Sequence, residues 1–159
     1  MSDPKFAVDV NVGRLAKWLR VLGYDALFVP DVDDGGLVQI AQKEGRIILT
    51  KDSRLLERRL FTSGQLKGVQ VRGDHFIEQI RQVVTELRLD TNKEFSRCID
   101  CNTPLLDIGR EDVKDIVPSY VCRTQEKFKR CPACHKVYWR GTHWQNMRRE
   151  LATALDGVP

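Results

Sequence analysis

Two sets of side chains in this sequence have the types and spacing to do chemistry. The first is four thiols in two pairs, Cys98-Ile-Asp-Cys101 and Cys131-Pro-Ala-Cys134, with 29 residues between Cys101 and Cys131. Four thiolates satisfy a tetrahedral Zn²⁺ and leave no open position, so a zinc held there is structural rather than catalytic. A redox dithiol is the rival for either pair, but two CxxC knuckles in one short segment favour metal. His135 and His143 could replace a thiolate, although the paired spacing argues for the cysteines, and the fifth cysteine, Cys122, reads as a small buried apolar residue.

The second set is six aspartates: Asp9, Asp31, Asp33, Asp34, Asp52 and Asp74. In "RIILTKDSRLLERR", residues 46 to 59, Asp52 stands where an apolar run turns abruptly charged. An acid there either caps the following helix or holds a cation, and each loop acid taken singly reads as a cap. Asp9 differs, because "VDVNVG" sets it among apolar strand residues, where an unpaired carboxylate is costly to bury. Carboxylates forced together repel unless a cation lies between them. Hard oxygen ligands around partly open positions suit Mg²⁺ or Mn²⁺, the ions that activate water and stabilise the leaving oxygen in phosphodiester cleavage. His75, alone at a helix start, reads as structural or capping.

Periodicity supplies the elements that must position these groups. "FAVDV" is a short apolar strand, and Leu15, Trp18, Leu19 and Leu22 then recur at i, i+3, i+4 and i+7 on a helix closed by Gly23. "YDALFV" and "GLVQIAQKEG" form the next strand and helix, "RIILT" and "SRLLERRLF" the third pair, "GVQV" and "FIEQIRQVVTELRL" the fourth. Strands alternating with helices imply a mostly parallel sheet covered on both faces, with sites outside the carboxyl ends of its strands. On that scheme each strand delivers an acid to one edge: Asp9 after the first, Asp31, Asp33 and Asp34 after the second, Asp52 after the third, Asp74 after the fourth. The chain divides into a core of residues 1–90 and a cysteine-bearing segment of 91–159 with a C-terminal helix.

Composition bounds what these groups can serve. A chain of 159 residues, 42% apolar, can bury one core and a small satellite stapled by a metal. No apolar run approaches the roughly 20 residues that span a bilayer, and "MSDPKFAVDV" lacks the pattern of a secretory signal, so a cytoplasmic location is expected. The net charge of +4 is unevenly spread. Residues 123–149 carry eight Lys or Arg against Glu126 alone, interleaved with Phe128, Tyr138, Trp139 and Trp144. That mixture suits phosphate contacts with base stacking, or else is a solvated basic face around a small core.

The stretches "DVNVGRLAKWLRVLGYDALF", "GRIILTKDSRLL", "FSRCIDCNTPL" and "VPSYVCRTQEKFKRCPACHKVYWRGTHWQNM" together resemble the Mut-seven C-terminal RNase family, over about residues 5 to 150. The resemblance implies an α/β PIN-like nuclease core, a three-layer parallel sheet, followed by a zinc ribbon. It also implies an ATP-independent, metal-dependent ribonuclease with structural Zn²⁺ and catalytic Mg²⁺ or Mn²⁺. By position Asp9 matches the first PIN acid and Asp52 the acid of a threonine-x-aspartate motif, whose Thr50 orients a ligand or water. Asp33 or Asp34 is the second acid, with Asp31 behind them, and Asp74 the fourth. Candidate RNA contacts are Arg14 and Lys17 beside the acid edge, and Lys129, Arg130, Lys136, Trp139 and Arg140 on the ribbon. Two other classes stay open: a non-catalytic RNA-binding or adaptor protein, and a receiver-like phospho-switch in which acids after strands hold Mg²⁺.

Overall fold

The computed structural model describes residues 2–158. Four strands, β1 (Lys5–Val8), β2 (Ala26–Phe28), β3 (Arg46–Thr50) and β4 (Gly68–Gln70), form one parallel sheet in the order β2-β1-β3-β4. Their side chains alternate between two apolar layers, as strand geometry requires. Phe6, Val8 and Leu49 face one layer, with helices α1 (Gly13–Val21) and α5 (Phe76–Leu87). Ala7 and Ile48 face the other, with α2 (Asp34–Glu44) and Leu55 of the short α3 (Ser53–Leu56). The result is a three-layer α/β arrangement. On α1 the expected stripe is buried throughout: Leu15, Trp18, Leu19 and Leu22 are each at most 1% exposed. Each such leucine stabilises the fold by about 1.5–3 kcal/mol. Trp18 also stacks on Phe76 of α5, with ring centroids 4.7 Å apart.

Gly23 closes α1 for two physical reasons. Its φ is +95°, and a Cβ there would come within 2.3 Å of the Lys93 carbonyl oxygen. The chain returns across this point, where Phe95 N–H donates to the Val21 carbonyl. A side chain at position 23 would push the returning segment away from α1.

Several elements differ from the expectation, among them the second strand, which covers only Ala26–Phe28 of "YDALFV". The "SRLLERRLF" helix is broken at Arg58, which is extended (φ −62°, ψ 148°), into α3 and α4 (Arg59–Thr62). Leu55 and Phe61 lie six residues apart, on different sides of any continuous helix, yet both pack into the same apolar cluster; the break re-aims the second turn. The first strand ends at Val8, so Asp9 follows it, capping a 3₁₀ turn of Val10–Val12 rather than lying inside the strand. The fourth strand stops at Gln70, one residue short of "GVQV".

Residues beyond α5 build a second, antiparallel sheet from β5 (Leu106–Ile108), β6 (Phe128–Arg130) and β7 (Val137–Tyr138). The 29 residues between the knuckles hold two short helices, α6 (Arg110–Val113) and α7 (Ser119–Thr124). Val113, Val117 and Val121 from this insertion close a small core on Phe128 and Val137. The final helix, α8 (Thr142–Leu155), returns to the first unit, where Met147, Leu151 and Ala154 join the apolar cluster of Phe6, Val8 and Ile80. Among the described residues no helix is long and apolar enough to cross a membrane.

Candidate functional site

In the parallel register Val8 lies beside Phe28 on one side and Leu49 on the other, while Thr50 lies beside Gln70. The carboxyl ends of all four strands therefore share one edge, and the acids after them open onto it. Asp9 N–H donates to the Leu49 carbonyl, which carries the β1–β3 ladder one step past Val8 and sets Asp9 beside Thr50. Thr50, fully buried, donates its hydroxyl to Asp9 Oδ2 at 2.7 Å and accepts from Asp52 N–H at 3.0 Å. Asp9 Oδ1 takes the Val10 N–H at 2.7 Å. Asp9 is 9% exposed, and among the described residues no Lys, Arg or His lies within ion-pair distance of it.

The remaining acids hold local roles. Asp52 Oδ1 accepts from the N–H groups of Arg54 and Leu55 and so caps α3. Asp33 Oδ1 accepts from Gly36 N–H and caps α2, with Asp34 in that helix's first turn. Asp31 and Asp34 make no side-chain hydrogen bond among the described residues. Asp74, exposed, pairs with Lys51 at 2.8 Å, and that hydrogen bond holds its carboxyl below the usual range. The expected carboxylate cluster is therefore not drawn together. Among the described residues, the cysteines are the one group of three or more His, Cys, Asp or Glu whose ligand atoms lie within 4.8 Å of one another. The physical reason is mutual repulsion: Asp9, Asp33, Asp52 and Asp74 find a backbone N–H, a hydroxyl or a lysine instead of a neighbouring carboxylate.

A polar cavity of about 170 Å³ opens beside Asp9 and Thr50, lined by the residues that follow them in the chain. Asn11, Gly13, Arg14, Lys51, Asp74 and His75 border it. The Arg14 guanidinium rests over the Phe76 ring, 4.6 Å from its centroid, and Lys17 Nζ lies 5.6 Å from that of Trp18. Arg14 thus borders the edge, whereas Lys17 is outside the cavity lining. Lys51, directly after β3, and His75, directly before α5, line the same cavity, and no motif in the sequence marks either as a neighbour of the acid edge. His75 precedes α5 but its side chain does not cap it.

The cysteine centre is assembled by backbone geometry. Each knuckle turns through a left-handed residue just after its second cysteine, Asn102 (φ 64°) and His135 (φ 66°). Each makes the same bonds: Asn102 N–H to the Cys98 carbonyl and His135 N–H to that of Cys131. Cys101 N–H points at Cys98 Sγ and Cys134 N–H at Cys131 Sγ, at 3.4 and 3.5 Å. Amides aimed at sulfur favour thiolates. Burial pushes the Cys131 thiol up, but the N–H groups of Cys134 and Ala133 outweigh it and bring it down to about 7. Its neighbour Cys101 is pushed up to about 12 by its hydrogen bond with Cys134, by burial and by the nearby Cys98 sulfur. Four such sulfurs cannot all ionise without a cation among them, and their type and number fit Zn²⁺. Tyr138 donates toward Cys98 Sγ at 3.2 Å, and burial holds its hydroxyl protonated well above the ordinary phenol range. Cys122, half-buried against the small valine core, stands apart, and His135 and His143 are exposed and outside the group.

This centre is latched to the first unit. Asn102 Nδ2 donates to Asp25 Oδ1 at 2.6 Å, and its Oδ1 accepts the Ala26 N–H at 3.0 Å, in the manner of an added strand residue. Asp25 is bidentate with Arg46; burial raises its carboxyl, but the hydrogen bonds from Arg46 and Asn102 bring it below the usual range. Arg20 of α1 donates to the Ile99 carbonyl.

Around the centre the basic and aromatic residues separate. Lys129 sits opposite Asp107 across β5 and β6, Lys136 pairs with Asp100 at 3.2 Å, and Arg140 lies over the Trp144 ring. Arg130 is half-buried and its Nε has no partner among the described residues. Phe128, Tyr138 and Trp144 are buried, Trp139 is half-buried, and Tyr120, which nothing in the charge pattern marked, is 62% exposed.

No curated protein and no solved structure matches this chain. A family model does, the Mut7-C RNAse domain, over residues 4–151. That span takes in the acid edge, both knuckles and most of α8, and the chain belongs to the Mut7-C RNAse domain family.

Proposed function

We propose that the chain is a metal-dependent ribonuclease with a PIN-like core, hydrolysing RNA phosphodiester bonds at the edge that carries Asp9 and Asp52. The observation that carries this reading is the Asp9–Thr50–Asp52 arrangement: a buried carboxylate with no cationic partner among the described residues, tied through one hydroxyl to the backbone N–H of Asp52 at the adjacent strand end. Asp9 and Asp52 would hold the ion, with Asp33, Asp34 and Asp74, which follow the second and fourth strands at the same edge, as further candidate ligands. A Mg²⁺ or Mn²⁺ bound there would supply an activated water and offset the charge on the leaving oxygen. Thr50 fixes the rotamer of Asp9, and the single free oxygen of Asp52 remains for a ligand while the other caps α3. Arg14 and Lys51 in the adjoining cavity would take the charge of the flanking phosphate, releasing Asp74 from Lys51. The cysteine-bearing segment would be a zinc ribbon that grips RNA through Lys129, Arg130, Lys136, Trp139 and Arg140, in a cytoplasmic protein.

One observation favours a second reading, an RNA-binding protein without catalysis: Asp33 and Asp52 already serve as caps. Cleavage of mixed RNAs by the full chain, with and without Mn²⁺, separates the two. The nuclease reading expects cleavage that needs the ion and is lost in Asp9→Asn and Asp52→Asn. Both variants cleaving at the parent rate would remove this edge from the chemistry, and binding without any cleavage would leave the second reading.

A further inference from the structure

Between β7, α7 and the start of α8 lies a cavity of about 300 Å³. That is the lower end of the range for small-ligand pockets, and fits one flat heterocycle better than a folded peptide. Its walls are aromatic: Phe95, Tyr120, Tyr138, Trp139 and Trp144, with Met147 beneath. Phe95 meets Tyr138 and Trp144 edge-on, so the walls brace one another. Tyr138 is pinned from behind by Cys98 Sγ and the Ile99 N–H. Gly141 leaves room for the Trp139 indole, since a Cβ there would stand 2.7 Å from its Nε1.

The charged residues lining this cavity are basic, and of the cations at its rim Lys136 pairs with Asp100 and Arg148 with Glu94, acids outside the lining. Lys136 and His143 line it and no acid does. Arg140 and Arg148 lie over the Trp144 ring at 5.2 and 5.1 Å, and Lys136 over that of Tyr138 at 5.3 Å. Aromatic walls rimmed by cations match a base flanked by phosphates: the ring stacks while the backbone meets the lysine and arginines. The buried Trp144 Nε1–H has no partner among the described residues, and a nucleobase carries the carbonyl and ring-nitrogen acceptors such a donor lacks.

The geometry points to a subsite for one unpaired nucleobase of an RNA strand, with the exposed Tyr120 ring as its outer stacking face. The inference rests on the reading of this chain as an RNA enzyme and adds the substrate class: RNA with a single-stranded stretch, since a paired base cannot leave its stack to enter without the cost of unpairing. Tyr120 comes from the insertion between the knuckles, so the zinc-bearing segment, not the acid edge, selects single strands.

The test uses the full zinc-loaded chain, without added Mg²⁺ or Mn²⁺, and a short labelled RNA offered single-stranded or as a duplex. Tyr120→Ala is expected to bind the single strand about tenfold more weakly, to bind the duplex as the parent does, and to keep its zinc content and melting temperature. Tyr120→Phe, which keeps the ring, is expected to match the parent on both. A Tyr120→Ala variant that binds the single strand like the parent overturns the subsite, as does equal weakening on both RNAs, which would mark a backbone contact. If the parent binds and, with Mn²⁺, cleaves RNA while Tyr120→Ala matches it, the subsite alone falls; if the parent binds neither RNA, the RNA reading falls first.

Discussion

The cysteine centre and the acid edge are both sets of anionic ligands, yet the fold treats them differently. At the cysteines the backbone brings four sulfurs within 4.8 Å, aims amides at two of them and buries Cys98 and Cys131 completely. At the edge the carboxylates stand apart, and Asp33, Asp52 and Asp74 each have a local N–H or lysine. A closed site whose metal contributes to folding must be shaped by the chain itself, because there is little other core nearby. On the proposed reading of the edge, an open site need only be held ready, and local partners would keep its charges tolerable until a cation and a phosphate arrive. The contrast predicts that disturbing the first costs structure and disturbing the second costs activity.

The largest expected effect is loss of the cysteine centre. Cys131→Ser should melt the second sheet and its valine core, with protection from hydrogen exchange lost over residues 96–140 and zinc falling from one per chain. Freshly purified parent protein with no zinc would break the comparison at its first term. Next is Thr50→Val, which keeps shape but removes the hydroxyl between Asp9 and Asp52. A residue orienting a metal ligand is expected to cost about 10- to 100-fold in cleavage rate. A melting temperature several degrees lower with an unchanged rate would make Thr50 structural only. Third, Asn102→Ala removes two hydrogen bonds and leaves a Cβ residue at φ 64°, for about 1–3 kcal/mol by urea unfolding. Asn102→Gly keeps the backbone unstrained, so the difference between the two variants isolates the strain, and equal losses would assign everything to the hydrogen bonds.

The smallest expected effect lies in pH dependence. Because the folded Asp25 carboxyl is held below its unfolded value, its contribution is present above the unfolded pKa of about 4 and fades as pH falls through the lower folded value. Asp25→Asn should therefore lose most relative to the parent near neutrality, the gap narrowing below about pH 4. Melting curves between pH 3 and 7 that stay parallel for the two proteins would show that Asp25 is not depressed.

Much of this was legible in residue order. The alternation of strands and helices gave the four-stranded parallel sheet, since short apolar runs between Gly45 and Thr50 or Gly68 and Gln70 have few other solutions, and CxxC spacing named the four thiols. What stayed hidden depended on contacts distant in sequence. No local pattern shows that Leu55 and Phe61 share a cluster, which breaks α3 from α4, or that α8 docks on α5. The left-handed turns at Asn102 and His135 were obscure because glycine, the usual sign of such a turn, is absent. Tyr120 was passed over because it lies outside the densest run of charge, and exposure of one aromatic ring leaves no periodic trace.

The docking of α8 on α5 has a consequence for how the molecule assembles. The two helices share one apolar cluster but are separated by more than fifty residues of chain, a detour that must be confined before Met147 and Leu151 can meet Ile80 and Val84. Joining the knuckles bypasses most of that detour, because only the stretches before Cys98 and after Cys134 still have to close. Shortening a loop about threefold lowers its closure cost by about 1 kcal/mol. Metal loading thus favours completion of a core in which no cysteine takes part, and a chain deprived of zinc should refold its first unit more slowly as well as lose its second.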